Sequence, residues 1–145
     1  MPNFTLRPSR PEDGERAVAI WRAAVAASHD FLSEADRAAI DAEVAAFLPS
    51  APMWLAVDGA DYPLAFMLVD GEMIEALFVD PAYQGQGVGR ALIEQAVLLG
   101  GGKRVDVNEG NPRALAFYRH LGFEVVGRSP FDAQGRALPL LHLQR

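Results

Sequence analysis

The sequence predicts an α+β fold: a mixed central sheet of about six to seven strands, with about four helices on both faces, in one domain over residues 1–145. Three observations carry this. Across Ile74–Leu99, IEALFVDPAYQGQGVGRALIEQAVLL, a short apolar run gives way at a glycine-rich turn to apolar residues at helical spacing. Ahead of that stretch the signals run β-α-α-β-β-β, which is not a repeating βαβ array. No internal repeat, low-complexity tract or linker divides the chain.

Taken in order, Phe4–Arg7 alternates briefly before Pro8 and reads as the first strand. Pro11 and the acidic residues after it suit the first turn of a helix whose buried face is Val18, Trp21 and Val25. Ser33-Glu34-Ala35-Asp36 starts a second helix, with Ser33 as N-cap and Ile40, Val44, Phe47 and Leu48 as its apolar stripe. Strands follow at Trp54–Asp58, Tyr62–Val69 and Met73–Val79, separated by the turn signals Gly59-Ala60-Asp61 and Asp70-Gly71. Pro81 stops ladder pairing near Asp80, and a helix runs from Val88 to Leu99. Gly100-Gly101-Gly102 caps it before a fifth strand, Arg104–Asn108. Asn111-Pro112 opens another helix with apolar residues at Ala114, Phe117, Tyr118 and Leu121. Gly122 ends it ahead of strand Phe123–Arg128. In the last strand, Ala137–Leu143, Pro139 predicts an edge position, and the apolar stretch Leu138–Leu143 offers a route to a homodimer.

Composition excludes several functions. The net charge of −6, from 13 basic and 19 acidic residues, argues against nucleic-acid binding, which needs a basic face. The chain has no cysteine, so disulfides, thiolate metal sites and a cysteine nucleophile are ruled out. His29, His120 and His142 have no paired ligand spacing, and no metal is expected. There is neither a run of about 18 apolar residues nor an N-terminal apolar h-region. The expectation is a cytoplasmic protein with no membrane partner.

Gly85, Gly87 and Gly89 sit directly before an amphipathic helix, where backbone N–H groups lack intrahelical partners and the dipole favours phosphate. A dinucleotide fingerprint would need glycine where Arg90 stands, and a P-loop would need Gly-Lys followed by Ser or Thr. The spacing present is Q-x-x-G-x-G, at Gln84, Gly87 and Gly89. A second pattern, N-x-x-A-x-x-x-Y at Asn111, Ala114 and Tyr118, precedes Leu121-Gly122-Phe123. In both patterns and in element order the chain resembles the GNAT superfamily of N-acetyltransferases over nearly its whole length. Its segment Ser28-His29-Asp30-Phe31-Leu32-Ser33 resembles small bacterial members in particular.

The resemblance implies a GNAT-like sheet split in a V between the fourth and fifth strands, with acetyl-CoA in the split and an amine as acceptor. It implies that Gln84, Gly85, Gln86, Gly87, Val88, Gly89 and Arg90 grip the pyrophosphate. Leu77, Phe78 and Val79 would run beside the pantetheine, and Asn111, Ala114 and Tyr118 would complete the cofactor site. In family members of this pattern the tyrosine at the position of Tyr118 is the acid for the leaving thiolate. Read without the family, Tyr118 is a core residue on an apolar helix face, and Asn111 is an N-cap.

The base has two candidates. Glu75 shares a face with Leu77 and Val79 by the period of two; it is either a base or a solvated strand-end carboxylate. His29 either relays a proton beside the acceptor pocket or caps the first helix. Phe31, Trp54 and Phe131 are candidate pocket walls. With no cysteine and no evident Ser-His-Asp order, direct transfer is expected. The alternative is a non-catalytic acetyl-CoA-binding sensor that keeps the glycine turn. The identity of the amine acceptor is open at this point.

Overall fold

The computed structural model describes residues 3–28 and 32–145. The strands are β1 (Thr5–Pro8), β2 (Trp54–Val57), β3 (Pro63–Asp70), β4 (Met73–Val79), β5 (Arg104–Asn108), β6 (Glu124–Ser129) and β7 (Leu140–Gln144). The helices are α1 (Gly14–Ser28), α2 (Glu34–Phe47), α3 (Val88–Leu98) and α4 (Pro112–His120). Among the described residues these strands form one seven-stranded sheet in the order β1-β2-β3-β4-β5-β7-β6. All pairs are antiparallel except β4–β5, which is parallel. The expected mixed sheet with helices on both faces is what forms.

Each face has its own core. On one side Val88, Leu92, Ile93 and Ala96 of α3 and Tyr118 of α4 pack on Ala65, Met67, Ile74, Val105, Val107 and Leu143. On the other, Ala17, Val18, Ile20, Trp21 and Val25 of α1 pack on Leu55, Val57 and Phe66. The α2 stripe is shallower than its spacing predicts. Leu48 is buried, but Phe47 is 59% exposed and no residue of α2 itself is fully buried. The helix start is as read: Ser33 Oγ accepts the Asp36 N–H at 3.1 Å. Ser33→Ala is expected to cost about 1 kcal/mol, visible as a lower urea midpoint with unchanged slope.

Two expectations are corrected. The last strand is not an edge. β7 lies between β5 and β6, bonded on both sides, because Pro139 falls just before the strand and spares its ladder. A dimer formed by pairing through Leu138–Leu143 is therefore excluded, and the free edges are β1 and β6. Nor does Glu75 share a face with Leu77 and Val79. Val69 pairs with Ile74 and Leu68 with Ala76, so Glu75 is the extra residue of a β-bulge. The bulge resets the alternation: Ile74 joins the α3/α4-side core, while Glu75 lines a hollow with Trp21, Val44, Leu48 and Phe66 on the α1/α2 side.

Candidate active site

β4 and β5 pair only at Met73–Arg104 and Ile74–Val105, then diverge. Beyond that point one edge of β4 is open. Asp80 donates its N–H to the Leu64 carbonyl at 2.9 Å. Backbone groups alternate sides along a strand, so Phe78 bonds towards β3 while Leu77 and Val79 aim their N–H and C=O into the gap. The side chains of Leu77 and Val79 lie against the α3/α4-side core, and that of Phe78 against the other.

After β4 the chain is fixed by Asp80. Its Oδ1 accepts the Ala82 N–H at 3.0 Å and its Oδ2 pairs with Arg16 at 2.6 Å. Burial pushes the Asp80 carboxyl up, but the Arg16 guanidinium and the Ala82 N–H outweigh it and hold the group below the usual carboxylate range. The glycine turn then enters α3. Gly87 is the N-cap at φ 81°, a left-handed conformation that side chains resist. Ala91 N–H is bonded to Gly87 O at 3.0 Å, which leaves the N–H groups of Val88, Gly89 and Arg90 without an intrahelical acceptor. Gly89 serves packing: a Cβ there would meet the Phe117 ring at 3.2 Å, so glycine lets α3 and α4 close together.

These parts enclose a cleft of about 400 Å3 at the gap. It brings together Leu77, Phe78, Val79, Gln84, Gly85, Gly87, Val88, Gly89, Arg90, Asn111, Ala114 and Tyr118. Gln86 is exposed and outside the lining, and Glu75 is in the hollow on the α1/α2 side, with Phe78 the wall common to both. His29 and Phe31 lie outside the described residues. Trp54 packs against the core, and Phe131 is 54% exposed.

Asn111 caps α4, its Oδ1 accepting the Ala114 N–H at 3.1 Å. Tyr118 is 6% exposed, set edge-on to Phe117 at 5.0 Å and Phe123 at 5.4 Å. Burial pushes its phenol well above the ordinary tyrosine value. The hydroxyl has no hydrogen-bond partner among the described residues, and the side chain lines the cleft.

Sequence reading missed three groups. Arg113 and Tyr83 line the cleft, as do Ala24, Ala27 and Ser28 of α1. Arg113 stands between the cap Asn111 and Ala114, where helical spacing alone could have put it at the same mouth. The third group is a hydrogen-bonded chain of Asp106, His142 and Ser129, with contacts of 2.7 and 2.6 Å; its order is visible only once β5, β7 and β6 are side by side. No cluster of three or more His, Cys, Asp or Glu among the described residues could hold a metal. Among the same residues no helix is long and apolar enough to cross a membrane.

The acetyltransferase (GNAT) domain family matches residues 49–125, more than half of the chain. The chain belongs to the GNAT family. It is 50% identical to the peptidyl-lysine N-acetyltransferase YjaB of Salmonella typhimurium over 97% of each chain. To the protein of that name in Escherichia coli it is 47% identical over 97% of this chain and 95% of the relative. The solution structure of apo-form YjaB from Escherichia coli superposes with a TM-score of 0.92 at 46% identity, covering 97% of this chain and 96% of that one. A GNAT phosphinothricin acetyltransferase from Sinorhizobium meliloti in complex with AcCoA shares the fold, with a TM-score of 0.62 at 23% identity. The chain is thus an N-acetyltransferase that transfers an acetyl group to an amine.

Proposed function

We propose that the chain takes acetyl-CoA in the β4–β5 gap and transfers the acetyl group directly to a lysine side chain of a peptide or protein. The observation that carries this is the gap itself, with the outward N–H and C=O groups of Leu77 and Val79 on one wall and the unbonded amides at the mouth of α3 on the other. Amides of Gly85 to Arg90 suit a pyrophosphate, and Arg90 and Arg113 add cationic charge at the same cleft. Pantetheine amides pair with Leu77 and Val79 as an added strand would. An outward N–H of this edge, that of Leu77 nearest the closed end of the gap, is then the donor for the oxyanion of the tetrahedral intermediate. Tyr118 is the acid that donates to the leaving sulfur. A carboxylate on the α1/α2 side of the gap receives the amine proton, and Glu75 is one such group; His29 is the other candidate base that the sequence offers. The names of the two YjaB relatives support lysine as the acceptor.

The direct test is thermal unfolding with and without acetyl-CoA, with AMP and NAD as controls. At about 100 times the dissociation constant the cofactor should add about 2.7 kcal/mol of stability. Gly87→Val, which forces a β-branched residue to φ 81°, should abolish the shift. A thiol-release assay with an Nα-acetylated lysine peptide then tests the acceptor. A missing shift in the parent protein at millimolar acetyl-CoA would refute the cofactor seat.

A further inference from the structure

Asp106 and His142 project from the same side of the sheet. Val105, Val107 and Leu143, their neighbours along the strands, belong to the α3/α4-side core, so by alternation these two face the α1/α2 side. Glu75 reaches that side through its bulge. Ile74 and Val105 form the last pair before β4 and β5 separate, and Glu75 and Asp106 are the next residue on each strand. Adjacent strands lie about 4.8 Å apart, so two carboxylates flank the point where the gap opens. They stand on the face opposite α3 and α4.

The two differ in how they are held. Glu75 is exposed and makes no side-chain hydrogen bond or ion pair among the described residues. Asp106 is fixed from behind: its Oδ1 bonds His142 Nδ1 at 2.7 Å, and His142 Nε2 bonds Ser129 Oγ at 2.6 Å. The arrangement that satisfies all four atoms has Nδ1–H donating to the carboxylate and Nε2 accepting the Ser129 O–H. The imidazole lies over Gly127, where an added Cβ would sit 3.4 Å from its Cδ2. The side chains of Asp106 and His142 remain about one-third exposed (34% and 35%), and Asp106 Oδ2 has no partner among the described residues.

We infer that Asp106 is the general base for the acceptor amine, with His142 and Ser129 as its positioning residues and Glu75 as a second negative charge that holds the ammonium. The inference rests on the acetyl-transfer reading above. A lysine ammonium is almost wholly protonated at neutral pH, so one N–H must be lost before attack. That N–H bond breaks and an O–H bond forms at Asp106 Oδ2. The freed nitrogen pair forms the N–C bond to the thioester carbonyl, and the C–S bond breaks. The second nitrogen proton replaces the one that Tyr118 gives to sulfur, and Asp106 returns its proton to water. Other charged groups on this face, among the described residues, include Arg104, two residues earlier on β5, Glu124 at the β6 edge and Asp70, which lines the hollow together with Glu75.

The test compares Asp106→Asn, Glu75→Gln, His142→Gln and His142→Phe. Acetyl-CoA affinity is measured alongside kcat/KM for an Nα-acetylated lysine peptide from pH 5 to 9. Asp106→Asn should lower kcat/KM at least about 100-fold, the lower end for a general base, with cofactor affinity within about twofold. Glu75→Gln should raise KM more than it lowers kcat. His142→Phe should lower the rate and displace the acid limb of the pH profile, and His142→Gln, which can still donate to Asp106, should recover part of the loss. With an arylhydrazine as acceptor, whose amine is already neutral at pH 7, the Asp106→Asn loss should shrink to a few-fold. Equal losses with both amines, an Asp106→Asn rate within threefold of the parent, or a loss confined to Glu75→Gln each overturn the assignment. If Asp106→Asn does not fold, an unchanged pH profile in both His142 variants overturns it instead. Absence of any turnover in the parent, with acetyl-CoA bound, would refute the lysine reading as well.

Discussion

Tyr118→Phe is expected to lower kcat at least about 100-fold while leaving the melting temperature unchanged. The substitution removes one oxygen and keeps the ring. The edge contacts with Phe117 at 5.0 Å and Phe123 at 5.4 Å survive, so the packing that buries the residue is not disturbed. The lost hydroxyl has no protein partner among the described residues and lines the cleft, so its removal breaks no bond within the fold. A core tyrosine retained for stability would behave in the opposite way, with a lower melting temperature and unchanged turnover. Burial also fixes the sign of the pH response. Because desolvation raises the phenol above its ordinary value, the hydroxyl stays protonated through neutral and mildly alkaline pH. It can therefore donate to sulfur as charge develops there across that whole range. The Phe variant should accordingly lose rate by a similar factor at pH 7 and pH 9, with acetyl-CoA affinity preserved. A parent activity that collapses above pH 9, with the collapse absent in the variant, would contradict a strongly raised phenol.

The glycine turn, the caps at Ser33 and Asn111 and the strand–turn–helix of residues 74–99 were legible because each is a local event. A missing Cβ, a side-chain oxygen three residues before an N–H, or a change of period acts within one or two turns of chain. What the sequence did not reveal depends on partners far along the chain. Nothing within β4 marks Glu75 as a bulge; the extra residue exists only against Leu68 and Val69 of β3. Shifting one residue out of register sends every side chain before it to the other face, which is why the predicted face of Glu75 was wrong. The insertion of β7 between β5 and β6 is likewise non-local. It moves Pro139 out of the ladder and converts an expected edge into a central strand. It also joins Asp106 to His142 across 36 residues of chain. The part of the cleft contributed by residues 77–90 and 111–118, two contiguous segments, was therefore readable, whereas its α1 wall and the chain of Asp106, His142 and Ser129, set by three strands in register, were not.

Asp13→Ala is expected to destabilise the fold by about 1.5–3 kcal/mol, the range for losing hydrogen bonds made to a charged group. Asp13 is 6% exposed, at the turn that leads into α1. Its carboxylate accepts from Arg7 Nη1 at 2.9 Å, from Arg7 Nη2 at 3.1 Å and from the Arg10 N–H at 2.7 Å. The bidentate fork joins β1 to the start of α1, and Arg7 Nε continues to Asp61 at 2.8 Å beside the β2–β3 turn. Truncation at Asp13 would leave the guanidinium, itself only 15% exposed, with the more solvated Asp61 as its remaining carboxylate. The bond from Arg7 is the largest influence on the Asp13 carboxyl, and against the opposing effect of burial it holds the group below the usual carboxylate range. A depressed folded value means that in the window between it and about pH 3.9, the unfolded reference, the unfolded chain binds more protons. Stability there rises with pH. The contribution of Asp13 is complete above about pH 5 and is lost as pH falls through the folded value. Urea titrations at pH 7 and pH 3 should therefore give a large gap between the parent and Asp13→Asn at the higher pH and a smaller one at the lower. A gap that stays constant between the two would mean that the contact stabilises through shape and not charge.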